Sequence, residues 1–426
     1  MGRVVGNICM KRITELNRLD ILQKGLCVPL VTPFDKDGKF LPDDFHALME
    51  YVLQNGLGGN VFFINGTTGE FNYIDNITCK HIIHSAVEFK KSHATHNIRI
   101  WCGISGNTTD ETLENLDFAL KTTEIDAVVI APLYFMRHDQ ILKFFRRDVR
   151  NTMEKHRKFI PIFLYDNKDI LSPCLKGATE TPLEIKEISS YLFRILLQHP
   201  KTAYDGLKDF ITDVVLPSAD PEAKKKSIHQ IRGYLRTREV KYLSRLEYIV
   251  GIKVTAPIRI IGNYIRASGQ FGDLGTFGIY IGNAPLIFDI FKDRIGLGRL
   301  IKWWEKFILR ATRPHGVVSG SANVMPREWS VAWDAALNDD YELADSFRKL
   351  FQEYRALCSF NNKRKSIACA KWILYNKGII SSPFVIDASK RLSENEIDET
   401  RKRYANFEKL VKDSIPFHYH SLMMNR

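Results

Sequence analysis

Apolar residues along this chain fall into short runs that alternate with stretches of helical period. "LCVPLVTP" (26–33) has the length and β-branched content of a strand. "DDFHALMEYVLQNG" (43–56) then spaces its apolar positions by three and four and stops at Gly56, as an amphipathic helix does. "GNVFFING" (59–66), "IRIWCG" (98–103), "DAVVIAP" (126–132) and "IPIFLY" (160–165) are further strands. Helices are expected between them at 75–92, at 107–122 with Asn107 or Thr108 as cap, and around 138–156. A long helical stretch over 176–247 interrupts the rhythm, with Thr181-Pro182 and Asp220-Pro221 as cap-plus-first-turn signals. Strands resume at "YIVGIK" (248–253), "TFGIYIG" (276–282) and "HGVVSG" (315–320), and helices fill 326 to about 412.

Eight strands separated by helices, each apolar on both faces, predict a parallel sheet. Eight such units fit an α/β fold of the (β/α)8 TIM-barrel type better than an open doubly wound sheet. The expected division is an N-terminal arm over 1–25 and a barrel over 26–325 with a helical insertion at about 176–247. A last barrel helix and a C-terminal helical region then occupy 326–426. No repeat at solenoid spacing and no low-complexity linker interrupts the pattern.

Composition narrows the class. The 426 residues, 45% of them hydrophobic, are enough for one large domain with additions. No run of about 18 apolar residues occurs, the N-terminus lacks a signal-peptide core, and Gly6 stands where an acylation signal wants Ser or Thr. Seven cysteines show neither metal-type pairing nor close spacing, which fits a reduced, cytoplasmic protein. The net charge of +12 gathers at 222–245, 144–158 and 361–365. Solvated helix faces explain such runs better than a nucleic-acid surface, because no zinc knuckle, recognition helix or aromatic-interleaved motif accompanies them. Neither nucleic acid nor membrane is expected as a partner.

In a barrel of this kind one set of strand ends carries the chemistry. Here those ends hold Gly66-Thr67-Thr68-Gly69-Glu70, Tyr134, Tyr165 and Lys253. Lys253 ends the apolar run "YIVGI", so its stem is expected inside the barrel. Burial disfavours a charged ammonium, and an uncharged amine condenses with a ketone to an imine that draws electrons from the adjacent carbon. A strand-end lysine that snorkels to the surface is the ordinary alternative. The glycines at 66 and 69 permit close approach, so hydroxyls and backbone amides there can converge on a carboxylate; a plain tight turn is the alternative. No Gly-Lys-Ser/Thr follows, so this is not a phosphate loop. The two tyrosines are candidates for a proton relay with a threonine hydroxyl, or for packing at the rim. Glu70 reads as a turn-stabilising or helix-capping carboxylate before a general base. The histidines of "HIIH" (81–84) lack a third ligand, and Trp303-Trp304 reads as core or interface.

Taken in order, "VPLVTPFDKDG" (28–38), "GTTGE" (66–70), "APLY" (131–134), "IFLYDN" (162–167), "VGIKVT" (250–255) and "GVVSGSANVMP" (316–326) resemble the dihydrodipicolinate synthase / N-acetylneuraminate lyase family. The resemblance covers roughly 26 to 380, apart from the 176–240 insertion and a smaller one near 292–312. It implies a class I, Schiff-base aldolase or lyase acting on pyruvate or a related 2-keto acid, with an aldehyde as the partner substrate. It implies Lys253 as the imine-forming residue and Tyr165 as the proton shuttle. It implies that Thr67 and Thr68 bind the carboxylate, with Thr67 also in the relay. Tyr134 matches a tyrosine that reaches a neighbouring subunit's site, which implies a homo-oligomer, a dimer or a tetramer. Gly66, Gly282 and Val318 fall on pocket-lining positions, and Thr255 matches the lyase and sugar-acid aldolase branches. No cofactor and no metal are implied.

The second-substrate half of the pattern departs from the family. Ile170 stands where the synthases place a carboxylate-gripping arginine, and Ala284-Pro285 where the sialic-acid lyases place an acidic pair. The reading is therefore a lyase that makes or cleaves a C–C bond next to a 2-keto acid through Lys253. Dihydrodipicolinate synthesis proper, dehydration of a keto-deoxy sugar acid, and a non-catalytic binding or regulatory barrel are the competing readings. The insertion after the fifth strand is expected to be a helical lid, an oligomer contact or an enlarged outer helix.

Overall fold

A computed structural model of the chain describes residues 22–132, 138–167, 234–272, 277–291, 311–361 and 363–414. The expected N-terminal arm up to residue 21, most of the expected insertion, Trp303-Trp304 and Tyr134 fall outside those residues. The eight predicted strands are all present. They are β1 (Gly25–Pro29), β2 (Val61–Ile64), β3 (Arg99–Gly103), β4 (Ala127–Ile130), β5 (Ile162–Asn167), β6 (Ile249–Thr255), β7 (Gly278–Ile281) and β8 (Gly316–Val318). They pair in parallel in that order, and β8 closes on β1. The fold is a closed (β/α)8 barrel.

Helices separate the strands where the polar–apolar spacing places them. The first three are α1 (Pro42–Leu53), α2 (Asn76–Ser92) and α3 (Thr109–Lys121). Asp75 caps α2 by accepting the Thr78 amide, and Thr108, the second of the two candidate caps, accepts the Glu111 amide. The helix expected over 138–156 forms as two α-segments, His138–Lys143 and Arg150–His156, flanking a π-helical stretch at Phe144–Val149. Later come α4 (Thr237–Leu243), α5 (Ile258–Ala267), α6 (Ile287–Phe291) and α7 (Pro326–Leu337).

Strand alternation sorts the core into two shells. Outward residues such as Ile162, Leu164, Ile252 and Val254 pack under the helices. Inward residues form a separate barrel interior that includes Cys27, Phe63, Trp101, Phe163, Tyr280 and Val318. Its lower part is aromatic: Trp101 stacks on Phe163 at 4.1 Å between ring centres, and Tyr280 meets Trp101 edge-on at 4.9 Å. A glycine makes room for this plug. A Cβ at Gly251 would lie 2.7 Å from the Phe163 ring and 2.6 Å from the Gly278 carbonyl oxygen. All three rings of this plug are buried.

The C-terminal region contains α8 (Tyr341–Leu357), α9 (Ser366–Asn376) and α10 (Glu394–Lys412). It docks on α7 through Trp329, whose ring stacks on Phe351 at 3.9 Å. Between α8 and α9 lies an element the helical pattern did not predict, a two-stranded antiparallel hairpin of β9 (Ser359–Phe360) and β10 (Lys363–Arg364). Its turn residue Asn361 has a φ of 45°, a conformation asparagine tolerates better than most residues. Among the described residues no helix is long and apolar enough to cross a membrane.

Candidate active site

Adjacent strands bring the predicted residues together. Tyr165 on β5 and Lys253 on β6 are register partners, so period-two alternation turns both side chains into the barrel. Lys253 is 5% exposed, and its Nζ lies 3.9 Å from the centre of the Tyr165 ring and 4.7 Å from that of Phe63. Among the described residues no carboxylate forms an ion pair with it. The amine therefore sits in an aromatic cage rather than snorkelling to the surface.

The phenol of Tyr165 is the hub of a short chain of polar groups. Its oxygen accepts the Asn167 side-chain amide at 3.1 Å and lies 3.1 Å from Thr67 Oγ1. Either hydroxyl can donate across the Tyr165–Thr67 contact, so a proton can pass between them in both directions. Burial by itself pushes the Tyr165 hydroxyl up, but the Lys253 charge and hydrogen bonds from Thr67, Lys253 and Asn167 outweigh it, so the net shift is downward. The amine lies over the ring face, so charge contributes more than an aligned hydrogen bond does.

Thr67 and Thr68 belong to a 3-10 turn over Thr67–Gly69, introduced by Gly66. The Gly69 and Glu70 amides turn back onto the carbonyls of Gly66 and Thr67. That leaves the first amides of the turn, at Thr67 and Thr68, without an acceptor inside it. Thr68 lines a cavity of about 200 Å³ at the barrel mouth, together with Gly282 and Ser319. Thr255 lies against Gly282 so closely that a Cβ there would meet its Oγ1 at 2.2 Å. Val318 lies deeper, in the barrel interior. Tyr134 and Ile170 lie outside the described residues, so the site is seen without them.

Two residues to which the sequence reading gave no part in the site have specific places here. Asn167 follows Tyr165 by two positions on one strand, the spacing that puts both on the same face. Glu70, read above as a turn or capping carboxylate, sits between two 3-10 turns, but its side chain makes no capping bond to the one that follows. Its carboxylate instead forms a buried ion pair with Lys371 of α9 and accepts the Ile386 amide at 2.9 Å. His81 and His84 both stand exposed on α2.

A family profile described as "Dihydrodipicolinate synthetase family" matches residues 22–152, the stretch from the start of the barrel through the helices before β5. Over that first part of the barrel the chain is similar to this family. Its curated relatives include the 4-hydroxy-tetrahydrodipicolinate synthase of Syntrophotalea carbinolica, 30% identical over 26% of this chain and 36% of the relative. The enzyme of the same name from Methanococcus maripaludis is 28% identical over 34% of this chain and 45% of the relative. The chain thus spans less than half the length of the curated relatives it matches. Among solved structures, the sialic acid aldolase of Ruminococcus gnavus superposes with a TM-score of 0.64 at 14% identity, covering 92% of this chain and 100% of the other. A prophage protein from E. coli K12, described as belonging to the dihydrodipicolinic acid synthase family and solved in complex with pyruvate, gives a TM-score of 0.60 at 15% identity over 90% and 98% of the two chains. Identities this low speak for the dihydrodipicolinate synthetase fold.

Proposed function

We propose that this chain is a Schiff-base aldolase or lyase of the dihydrodipicolinate synthetase type. It makes or cleaves a C–C bond next to pyruvate or a related 2-keto acid, with Lys253 as the imine-forming residue. The observation that carries this reading is the buried Lys253 amine against the Tyr165 ring, with the phenol bonded to Asn167 and set beside Thr67. The relatives named as synthases and as a sialic acid aldolase lend it support.

The chemistry follows from those contacts. The unprotonated Lys253 amine adds to the ketone carbon, and the resulting carbinolamine loses its hydroxyl as water by taking a proton carried by Tyr165. The iminium draws electrons from the neighbouring carbon, which loses a proton to become an enamine. That carbon attacks an aldehyde carbonyl in the synthetic direction, and the new alkoxide takes up a proton. In the cleavage direction the same steps run backwards, and water finally releases the keto acid and restores the amine. A phenol whose pKa is lowered exchanges its proton more readily, and Thr67 passes it onward. The substrate carboxylate is assigned to the hydroxyl of Thr68 and the free amides of the Thr67–Gly69 turn, with Gly66 allowing the close approach.

The test is trapping. Pyruvate with borohydride should leave a reduced adduct at Lys253, found by mass spectrometry of the digested protein. No adduct with pyruvate or with other 2-keto acids, from a protein whose circular dichroism shows it folded, would favour a non-catalytic binding barrel.

A further inference from the structure

The family pattern provides an arginine after β5 for the second substrate, and Ile170 takes that position here. We infer that the end of α8 and the hairpin after it replace it: Arg355 and Arg364 form an anion subsite for a carboxylate or phosphate on the second substrate. This inference rests on the proposed keto-acid chemistry for the identity of the site it serves.

The cavity beside the 3-10 turn has two walls. Thr68, Gly282 and Ser319 of the barrel mouth form one, and Tyr354, Arg355 and Arg364 of the C-terminal region face them. A shallower depression of about 540 Å³ continues outward, and Arg355, Arg364, Ser359, Asn361 and Lys363 line it. Three cations therefore crowd one side of a path that leads down to Thr68.

These three are unlike the other cations nearby. Arg348 pairs with Asp289, Lys365 with Glu396, Lys371 with Glu70 and Arg403 with Glu399. The side chains of Arg355, Lys363 and Arg364 form no ion pair and no hydrogen bond among the described residues. Like charges gathered without a counter-ion repel one another, and an anion bound between them removes that repulsion. The N-terminus of α9 adds to the field, because Ser366 and Ile367 of its first turn also line the cavity.

The hairpin is also held in place. Arg403 donates to the backbone carbonyls of Ala356 and Ser359, each at 3.0 Å, which fixes the chain on either side of Cys358. The Lys365 amide donates to the Cys358 carbonyl at 2.9 Å, and its Nζ reaches Glu396 at 2.6 Å. The backbone that carries both arginines is thus tied from both ends before any ligand arrives, which is what a low-cost binding site needs. Two guanidinia suit a planar carboxylate or a phosphate, since each offers paired donors.

The test measures binding rather than turnover. Inorganic phosphate and succinate, as probes of the two anion chemistries, are titrated calorimetrically into protein carrying the borohydride-trapped pyruvate adduct. One of them should bind, and R355Q/R364Q should weaken it by about tenfold or more, the scale of lost charge-assisted hydrogen bonds. R401Q on α10, which alters an exposed arginine paired with Asp398, should bind as the unmodified sequence does. Phosphate binding would point to a phosphorylated second substrate and succinate binding to a carboxylated one. Equal affinity in R355Q/R364Q, or no binding of either probe, would overturn the subsite while an adduct at Lys253 left the imine reading standing. If no adduct forms, the imine reading fails instead, and the same titration on unmodified protein still decides whether the arginines hold an anion.

Discussion

Lys371→Met should cost this fold several kcal/mol, and the size follows from what the substitution strands. Glu70 is 3% exposed and Lys371 is fully buried. The ammonium donates to Glu70 and, at 2.8 Å, to the Phe384 carbonyl, and it lies 4.8 Å from the Phe34 ring. Without the lysine, the buried Glu70 carboxylate keeps, among the described residues, only the Ile386 amide as a donor. Removing one member of a buried pair costs about 3–5 kcal/mol, because the other charge is left uncompensated. Glu70→Gln should be milder, about 1–3 kcal/mol, since an amide oxygen still accepts from Ile386. The lysine left behind can also shed its proton, because burial already pulls its pKa down against the opposing pull of Glu70. The double variant removes both charges and should be more stable than Lys371→Met alone, with a coupling of about 2 kcal/mol. Urea denaturation of the four proteins at neutral pH gives each value. A cost below about 1 kcal/mol for Lys371→Met, or additivity within about 0.5 kcal/mol, would refute the reasoning. Because Glu70 ends the turn that carries Thr67 and Thr68, Lys371→Met should also raise the pyruvate concentration needed for half-maximal trapping, measured well below its melting temperature.

Two further perturbations test the frame around the site. Burial pushes the Asp166 carboxyl from the usual 3.8 up to about 7, against the pull of hydrogen bonds from Tyr264 and the Leu235 amide. A raised carboxyl pKa means the folded state holds the extra proton, so this group's stabilisation is complete below about pH 4 and lost as pH rises through 7, at most about 4 kcal/mol. Asp166→Asn mimics the protonated form and should flatten that fall, read by urea denaturation at pH 5 and 8; an unchanged pH profile would count against the assignment. Gly282→Ala should lower stability by about 1–3 kcal/mol, because its Cβ would stand 2.2 Å from Thr255 Oγ1 and 3.2 Å from the Val254 carbonyl oxygen. Adding Thr255→Ala should restore part of the loss in thermal unfolding, and no rescue would mean that the backbone contact dominates.

The barrel was legible because its signal repeats. Each strand is a short apolar run, each connection has helical period, and eight such units leave few architectures open. Tyr165 and Lys253 could be placed inside because each ends an apolar run at the same face. Asn167 is legible by the same arithmetic, two residues beyond Tyr165 on one strand face. The hairpin was not. "SFNNKRK" reads as a basic loop between helices, and nothing local says that the docking of α8 on α7 carries it to the barrel mouth.

The two buried lysines show most sharply where sequence reasoning stops. "YIVGIKVT" and "SIACAKWIL" each place one lysine in an apolar run, and by pattern alone the two cannot be told apart. Their partners separate them. Lys371 meets Glu70, a residue 301 positions away, and the two charges close on each other as an anchor between α9 and the tip of β2. Lys253 meets two aromatic faces and, among the described residues, no carboxylate. The Lys371 amine is taken up by the Glu70 carboxylate and the Phe384 carbonyl, whereas the Lys253 amine meets aromatic faces and no carboxylate among the described residues, which leaves it the lysine placed to meet a ligand. The assignment of nucleophile and anchor therefore depends on which carboxylate the fold brings to which amine, a long-range fact that no local pattern contains.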